Sequence, residues 1–482
     1  MPDRSLRQRL LIPLIVACAL FMENLDSTVL ATSLPAIAAD LHEDPITLKL
    51  ALTAYLLSLA VFIPASGWAA DRFGARTVFR GAIVVFTLGS VLCGFSGSLP
   101  AFVASRILQG AGGAMMVPVG RLVLLRSVPR HEIVQALAYL TMPALLGPIL
   151  GPPLGGFITT YAHWRWIFWI NVPIGVLGFV LASLFVPNTR EEVPPRLDTV
   201  GFLLTGAGFT ALMFGLTAAG RGFLPGWGVG LLVAAGVALL ALYVRHAGRV
   251  PHPILDLSLL RIPTFAASVA GGFLFRVGIG ALPFLLPLML QLGFGLTPFQ
   301  SGCLTFAAAA GAFLMKTTAQ PILRRFGFRR VLVVNAVLSA AFLASYGAFT
   351  AATPWWVMFT ALLGGGFVRS LQFTAVNAIA YADIDQPAMS RATSFVSVMQ
   401  QLSLSVGVAA GAFAIEASRV GHADSVLEAR DFGIAFVAVA LVSAAAALVF
   451  ARLPPTAAAA LTARQAPGPA LAAGATPSGR DV

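Results

Sequence analysis

Apolar runs long enough to cross a membrane follow one another along almost the whole chain. About fourteen can be counted, at roughly 11–38, 49–70, 78–96, 99–124, 133–160, 166–186, 197–218, 226–247, 263–292, 299–321, 330–351, 354–379, 390–418 and 432–452. A helix needs about 20 apolar residues to cross the hydrocarbon core, and a barrel strand about ten. The runs have the helical length, so the expected fold class is an all-α polytopic membrane protein. Composition agrees. Only 10% of residues are charged, against roughly 25% in soluble domains, and mean hydropathy is +0.87. Arg4, Arg7 and Arg9 ahead of the first run imitate a signal peptide. That run is too long for a signal h-region and carries two acids, so it reads as an uncleaved first span.

An even number of spans puts both termini on one side. If that side is cytoplasmic, the inner segments hold 22 basic residues and the outer segments 5, with Arg106, Arg276, Lys316 and Arg369 inside spans. Cytoplasmic loops carry the excess of Lys and Arg, so cytoplasmic termini are expected. The formal net charge of +12 is spread one loop at a time and forms no basic face, which argues against nucleic acid as a partner. Cys18, Cys93 and Cys303 fall inside apolar runs and read as small buried hydrophobes. The Ala-, Pro- and Gly-rich tail after Arg452 is expected to be disordered.

Within the first run lie Glu23 and Asp26. A carboxylate in hydrocarbon costs roughly 2.5 kcal/mol or more on insertion scales, so it faces a cavity, pairs with a cation or holds a proton. Glu23, Asp26 and Ser27 share a helical face, and a proton or ion site is the first reading of that face. An internal repeat also shows. Asp71-Arg72-Phe73-Gly74-Ala75-Arg76 follows the second run, and Arg324-Arg325-Phe326-Gly327-Phe328-Arg329 follows the tenth. Six spans, two extra spans and six more would place these loops equivalently, as in transporters built from parallel halves.

Gly67, Asp71, Arg72, Gly74 and Arg76 form a loop with glycines for close helix approach and a tight turn. The segment resembles the loop between spans two and three of the major facilitator superfamily, G-x-x-x-D-R-x-G-R-R, with Ala75 in place of the first Arg of the final pair. Arg106-Ile-Leu-Gln109-Gly110-Ala-Gly-Gly113-Ala114 resembles the family's R-x-x-Q-G-x-G-x-A motif. Gly147-Pro148-Ile-Leu-Gly151-Pro152-Pro153-Leu-Gly155-Gly156 resembles its antiporter motif, G-P-x-x-G-P-x-x-G-G. Leu25-Asp26-Ser27-Thr28-Val29 through Leu34-Pro35 and Trp164-Arg165-Trp166-Ile-Phe168-Trp-Ile-Asn171-Val-Pro173 are similar to segments of the fourteen-span drug:proton antiporters of the EmrB/QacA type. The run Ala114 to Leu122 and the segment Gly280 to Phe284 look closest to the MdtD-like multidrug exporters.

The resemblance implies a major facilitator fold of 6+2+6 helices. Its expected parts are an N-terminal half at 1–190, two linker helices at 191–260, a C-terminal half at 261–453 and a cytoplasmic tail at 454–482. It implies a proton-coupled antiporter of a bacterial inner membrane, not an enzyme, exporting small amphipathic drugs or toxic compounds by alternating access. No cofactor is implied beyond the proton gradient, and no phosphate loop for ATP occurs in the chain. The implied partners are a small-molecule substrate, protons and the bilayer; no segment identifies a periplasmic adaptor. Proton coupling is expected at Asp26, Glu23 and Arg106. The expected gating loop is Gly67, Asp71, Arg72, Gly74 and Arg76, and the antiporter helix carries Gly147, Pro148, Gly151, Pro152, Gly155 and Gly156. Gln109, Arg276, Arg369, Gln372 and Asn377 are the cavity candidates. Three arginines against two acids suit an anionic or zwitterionic cargo as well as a cation, so an exporter of organic anions or of one metabolite stays open.

Overall fold

The computed structural model describes residues 6–127, 133–188, 196–218, 225–385, 388–418, 429–455 and 457, without the side chains of 6–11, 125–145 and 390. Most of the tail expected to be disordered lies outside the described residues. The N-terminal set of helices is α1 (Leu6–Asp40), α2 (Lys49–Phe73), α3 (Ala75–Phe95), α4 (Leu99–Ser127), α5 (Ile133–Tyr161), the single turn α6 (Trp166–Trp169) and α7 (Asn171–Phe185). A middle pair follows, α8 (Thr199–Ala218) and α9 (Gly226–Ala247). The C-terminal set is α10 (Pro263–Leu288), α11 (Pro298–Phe326), α12 (Phe328–Tyr346), α13 (Trp355–Ala380), α14 (Met389–Ser418), α15 (Ala429–Ala444) and the short α16 (Ala446–Phe450).

Among the described residues, 12 stretches are helical, long and apolar enough to cross a membrane. The expected spans outside that number are α5 and α13, helices of 29 and 26 residues. The described side chains of α5 begin only at Leu146. Arg369, Gln372 and Asn377 lower the hydropathy of α13. Large apolar side chains such as Leu203, Leu231, Leu441 and Leu448 stand exposed on the outer faces of the helices, as a surface in contact with lipid requires.

Within the N-terminal set α1 packs along α5, and α4 lies against both α2 and α3. Within the C-terminal set α10 packs along α14, and α13 lies against α11 and α12. Two pairings join the sets, α5 with α11 and α2 with α14. Polar contacts between the sets gather at one end of the molecule, where α1 finishes and α2 begins. There Lys49 Nζ lies 2.9 Å from Glu416 Oε1, Gln291 Nε2 donates to the Thr32 carbonyl at 2.8 Å, and the Phe299 N–H donates to Thr160 Oγ1 at 3.1 Å.

The opposite end carries the two repeated loops. Gly74 joins α2 to α3 with φ 92°, and Gly327 joins α11 to α12 with φ 72°. Each residue is at once the C-cap of one helix and the N-cap of the next. A positive φ at so tight a junction favours glycine, which explains why the repeat has glycine at both places.

Candidate functional site

Asp26 sits mid-way along α1 and is 3% exposed. Three side chains from two helices aim donors at it. Arg106 of α4 forms an ion pair with Oδ2 at 2.7 Å. Gln109, one turn further along α4, donates from Nε2 to Oδ1 at 2.8 Å, and Asn171 at the start of α7 donates from Nδ2 to the same oxygen at 2.9 Å. The second hydrogens of both amides go to Ser90 Oγ of α3, at 3.1 and 2.8 Å. Ser90 in turn donates to the Phe168 carbonyl at 3.1 Å. Arg106 also donates to Gln109 Oε1, and its guanidinium lies over the Tyr55 ring, 4.1 Å from the centroid. The arrangement gives the carboxyl group three donors, one of them charged, in a site shut from solvent.

The spacing Arg106–Gln109 places both side chains on one face of α4, as expected. Gln109, anticipated as a cavity residue, belongs to the Asp26 network and is fully buried. Glu23 does not join it. Its Oε2 is buried and has no hydrogen-bond partner, and the same holds for Tyr55 Oη and Arg106 Nε. Ser27 turns back to the Asn24 carbonyl at 2.9 Å. Asn171 lay within a quoted motif but carried no chemical signal of its own in the sequence, and Ser90 and Tyr55 carried none. A lone polar residue in an apolar run has too many local hydrogen-bonding options for its partner to be read from spacing.

The antiporter helix α5 is seated against two neighbours. A Cβ at Gly147 would meet Asn24 and Leu25, one at Gly151 would meet Thr28, and one at Gly155 would meet Val29 and Thr32, all on α1. On another side of α5, a Cβ at Gly156 would meet Pro298 and Phe299 of α11, and Gly302 of α11 approaches the Pro152 carbonyl as closely. Pro148 and Pro152 are both half-buried within this continuous helix.

The loop residues take separate positions. Arg72 lies in the last turn of α2, where a cation suits the helix dipole. Arg76 donates to the Val186 carbonyl at the end of α7, at 3.5 Å. Asp71 sits beside Arg72 in that last turn. Gly67 departs from the expected close approach: a Cβ there would meet nothing within 4 Å, because Gly67 lies on the exposed side of α2 while Ser66 and Ala69 are buried.

In the C-terminal set Arg276 of α10 is 1% exposed. It donates to Asn377 Oδ1 of α13 at 2.9 Å and lies 5.4 Å from the Phe373 ring centroid. Its Nε has no partner. Lys316 of α11 donates to Thr374 Oγ1 of α13 at 3.3 Å. Gln372 turns away towards α12, where it donates to the Leu332 carbonyl at 3.1 Å and accepts from Asn335 at 3.3 Å. Arg369 stands one turn before Phe373 on α13 and is half-buried.

A family model described as "Major Facilitator Superfamily" matches residues 16–201 and 269–477. The chain belongs to the major facilitator superfamily. Members of this superfamily are membrane transporters and not enzymes, and the chain is a polytopic membrane protein of that all-α fold. Relatives named "Putative multidrug resistance protein MdtD" bear out the resemblance read from the motifs. The one from Citrobacter koseri is 38% identical over 452 residues, covering 91% of this chain and 94% of the relative. The one from Salmonella typhimurium is 38% identical over 443 residues with the same coverage. Among solved structures, a D-xylose-proton symporter superposes with a TM-score of 0.68 at 16% identity, covering 93% of this chain and 98% of its own. An auto-inhibited POT family peptide transporter gives 0.70 at 16% identity, covering 92% and 96%. At such identity these two establish the fold alone.

Proposed function

We propose that this superfamily member is a proton-coupled antiporter that exports small amphipathic molecules from a bacterial cytoplasm, with Asp26 as the proton site. The observation that carries the reading is the buried Asp26–Arg106 pair, at 2.7 Å in the centre of a membrane bundle. Removing one partner of a buried pair costs about 3–5 kcal/mol, so a carboxylate and a guanidinium that separate and re-form are a means of storing and releasing a proton. Protonation of Asp26 frees Arg106, and return of Arg106 favours release of the proton. Glu23, one turn away, is the second carboxylate of the scheme and takes part when the cavity is open to water.

The topology proposed with this reading is 6+2+6. The family model skips residues 202–268, where α8 and α9 lie, and α5 and α13 complete fourteen spans. The end marked by Lys49 is then the outer one, and both termini are cytoplasmic, as the distribution of basic residues argues. Alternating access is rocking of the two six-helix halves about a midplane site. The multidrug names of the relatives support an amphipathic cargo.

The test is proton movement in reconstituted vesicles under a pH gradient. Substrate-triggered dissipation is expected from the wild type and not from Asp26→Asn. Unchanged proton dependence in the variant would sink the scheme.

A further inference from the structure

The two repeated loops share a backbone and differ in charge. Asp71 of the first is matched by Arg324 of the second, and Thr77 by Arg330. Arg324 and Arg325 close α11, where cations suit the helix dipole. Arg329 and Arg330 open α12, where the dipole disfavours them. The chain has no Asp or Glu between Asp256 and Asp383, nor between Asp431 and Asp481, so α11, α12 and α16 carry no acid. No described carboxylate lies within 4.0 Å of any of these four guanidinium groups. Asp383, the first acid after α13, is engaged by Thr264 of α10 at 2.7 Å.

Two of the arginines border a crevice. It has a volume of about 340 Å³ and is lined by Arg329, Arg330, Val333, Val334 and Ala451. Arg329 fixes its shape. Its Nη2 donates to the Ala451 carbonyl at 2.8 Å, which ties the start of α12 to the end of α16. Among the described residues that bond uses one of the five N–H groups a guanidinium carries. Arg330 is exposed, and Val334 and Leu338 follow it at four-residue spacing, both exposed on the outer face of α12. The apolar stripe runs about 12 Å along the helix from the arginine. On the other wall Leu448, one turn before Ala451, is exposed as well. The crevice is therefore cationic at the end of the bundle and apolar where it continues along the lipid-facing helices.

We propose that this crevice binds an anionic phospholipid. The phosphate of the headgroup accepts from Arg330 and from Arg329, and the acyl chains lie along Val334, Leu338 and Leu448. The phosphate supplies the negative charge that the second loop lacks where the first has Asp71, and it offsets the two cations at the positive end of α12. A free phosphate would leave the apolar walls uncovered, whereas a lipid covers both parts of the crevice. The inference rests on the topology above only for the leaflet, which is then the cytoplasmic one with its negative surface. It uses neither the cargo nor the proton, so it stands or falls apart from the transport reading.

The test is photo-crosslinking of the full chain in phosphatidylcholine vesicles doped with phosphatidylglycerol that carries a diazirine on one acyl chain. Attachment to α12 near Val334 and Leu338, and to Leu448, is the expected result. It should fall about ten-fold or more in Arg330→Gln with Arg329→Gln, and less in Arg330→Gln alone. Arg330 is exposed, so the single variant keeps the fold, and the double variant is read only where its melting matches the wild type. Arg245→Gln, at an exposed arginine in the last turn of α9, should leave the attachment unchanged. An equal fall in Arg245→Gln would reduce the effect to the overall charge of this end and overturn the site. So would equal attachment of the same probe on phosphatidylcholine, or attachment indifferent to Arg330→Gln. Loss of attachment in excess inorganic phosphate would assign the crevice to a soluble anion and overturn the lipid as its occupant.

Discussion

Asp26 accepts from Arg106, Gln109 and Asn171, and two of those donors are neutral amides that also share Ser90. Hydrogen bonds to charged groups contribute about 1.5–3 kcal/mol. The ring-like sharing means that loss of one member is felt by the others. Asn171→Ala should therefore lower the melting temperature in detergent, with a cost of about 1–3 kcal/mol. The same substitution made on top of Asp26→Asn should cost less, because its charged acceptor is already gone. Additive effects in this double-mutant cycle would mean that Asn171 acts through packing and not through the carboxylate. The sequence already pointed to Asp26 and Arg106, since a charge in an apolar run must have a reason. Asn171 and Ser90 are ordinary polar residues in their runs, and only the packing of α7 against α1, and of α3 against α4 and α7, gathers them around the carboxylate.

At the scale of the element, α5 shows what the clustered glycines do. Its small residues let α1 approach on one side and α11 on another, and small residues are how membrane helices come close. Gly155→Val would drive a branched side chain into the Val29 carbonyl and Thr32 of α1; overpacking of this kind costs about 1–3 kcal/mol. Gly67→Ala in α2 makes the opposite case. It meets open space, so its stability should equal or slightly exceed the wild type, as expected for Gly to Ala in a helix. Thermal melting of the two variants checks both. A fall in transport by Gly67→Ala at unchanged melting would show that the close approach expected at Gly67 forms in another conformation. The 12 stretches long and apolar enough to cross a membrane among the described residues were legible because hydropathy is additive along the chain. The role of Gly67 was not, since a glycine in a helix looks the same whether a neighbour is present or absent. The middle pair is clearer in the structure than in the sequence. Asp198 caps α8 through the Gly201 N–H at 2.8 Å and accepts from His246 of α9 at 2.7 Å. Burial alone would push its carboxyl up, but the bonds from His246, Gly201 and Ile254 hold it below the usual carboxylate value. Tyr243 of α9 is bonded to Leu255, and Asp256 next to it takes Arg391 of α14 at 2.6 Å. The pair thus leans on α2 through Phe202 and Phe62 and is tied to α14. It spans one of the two seams between the N- and C-terminal helices.

For the whole molecule, the polar contacts that close the Lys49 end among the described residues include a shielded ion pair. Lys49 is 1% and Glu416 11% exposed, with 2.9 Å between their charged atoms. Opening that end requires α2 and α14 to part there, and the pair to separate. An exposed pair would add little to the balance between states, about 0–1 kcal/mol. A pair this buried weighs more, because removal of one partner takes away the charge that the other faces at 2.9 Å, at up to about 3–5 kcal/mol. Lys49→Met should therefore shift the population towards the state open at this end. At 1.4 kcal/mol per factor of ten, the shift is on the order of 100-fold. Removing both charges, in Lys49→Met with Glu416→Gln, removes the imbalance between the two positions and should restore much of the closed population. Spin labels at Tyr161 and Phe299, whose rings meet across the α5–α11 seam at 5.9 Å, would report the separation. Longer distances in Lys49→Met that shorten again in the double variant are the expected result. Equal distances in all three proteins would mean that apolar packing along α2 and α14 closes this end, with the ion pair a passenger on it.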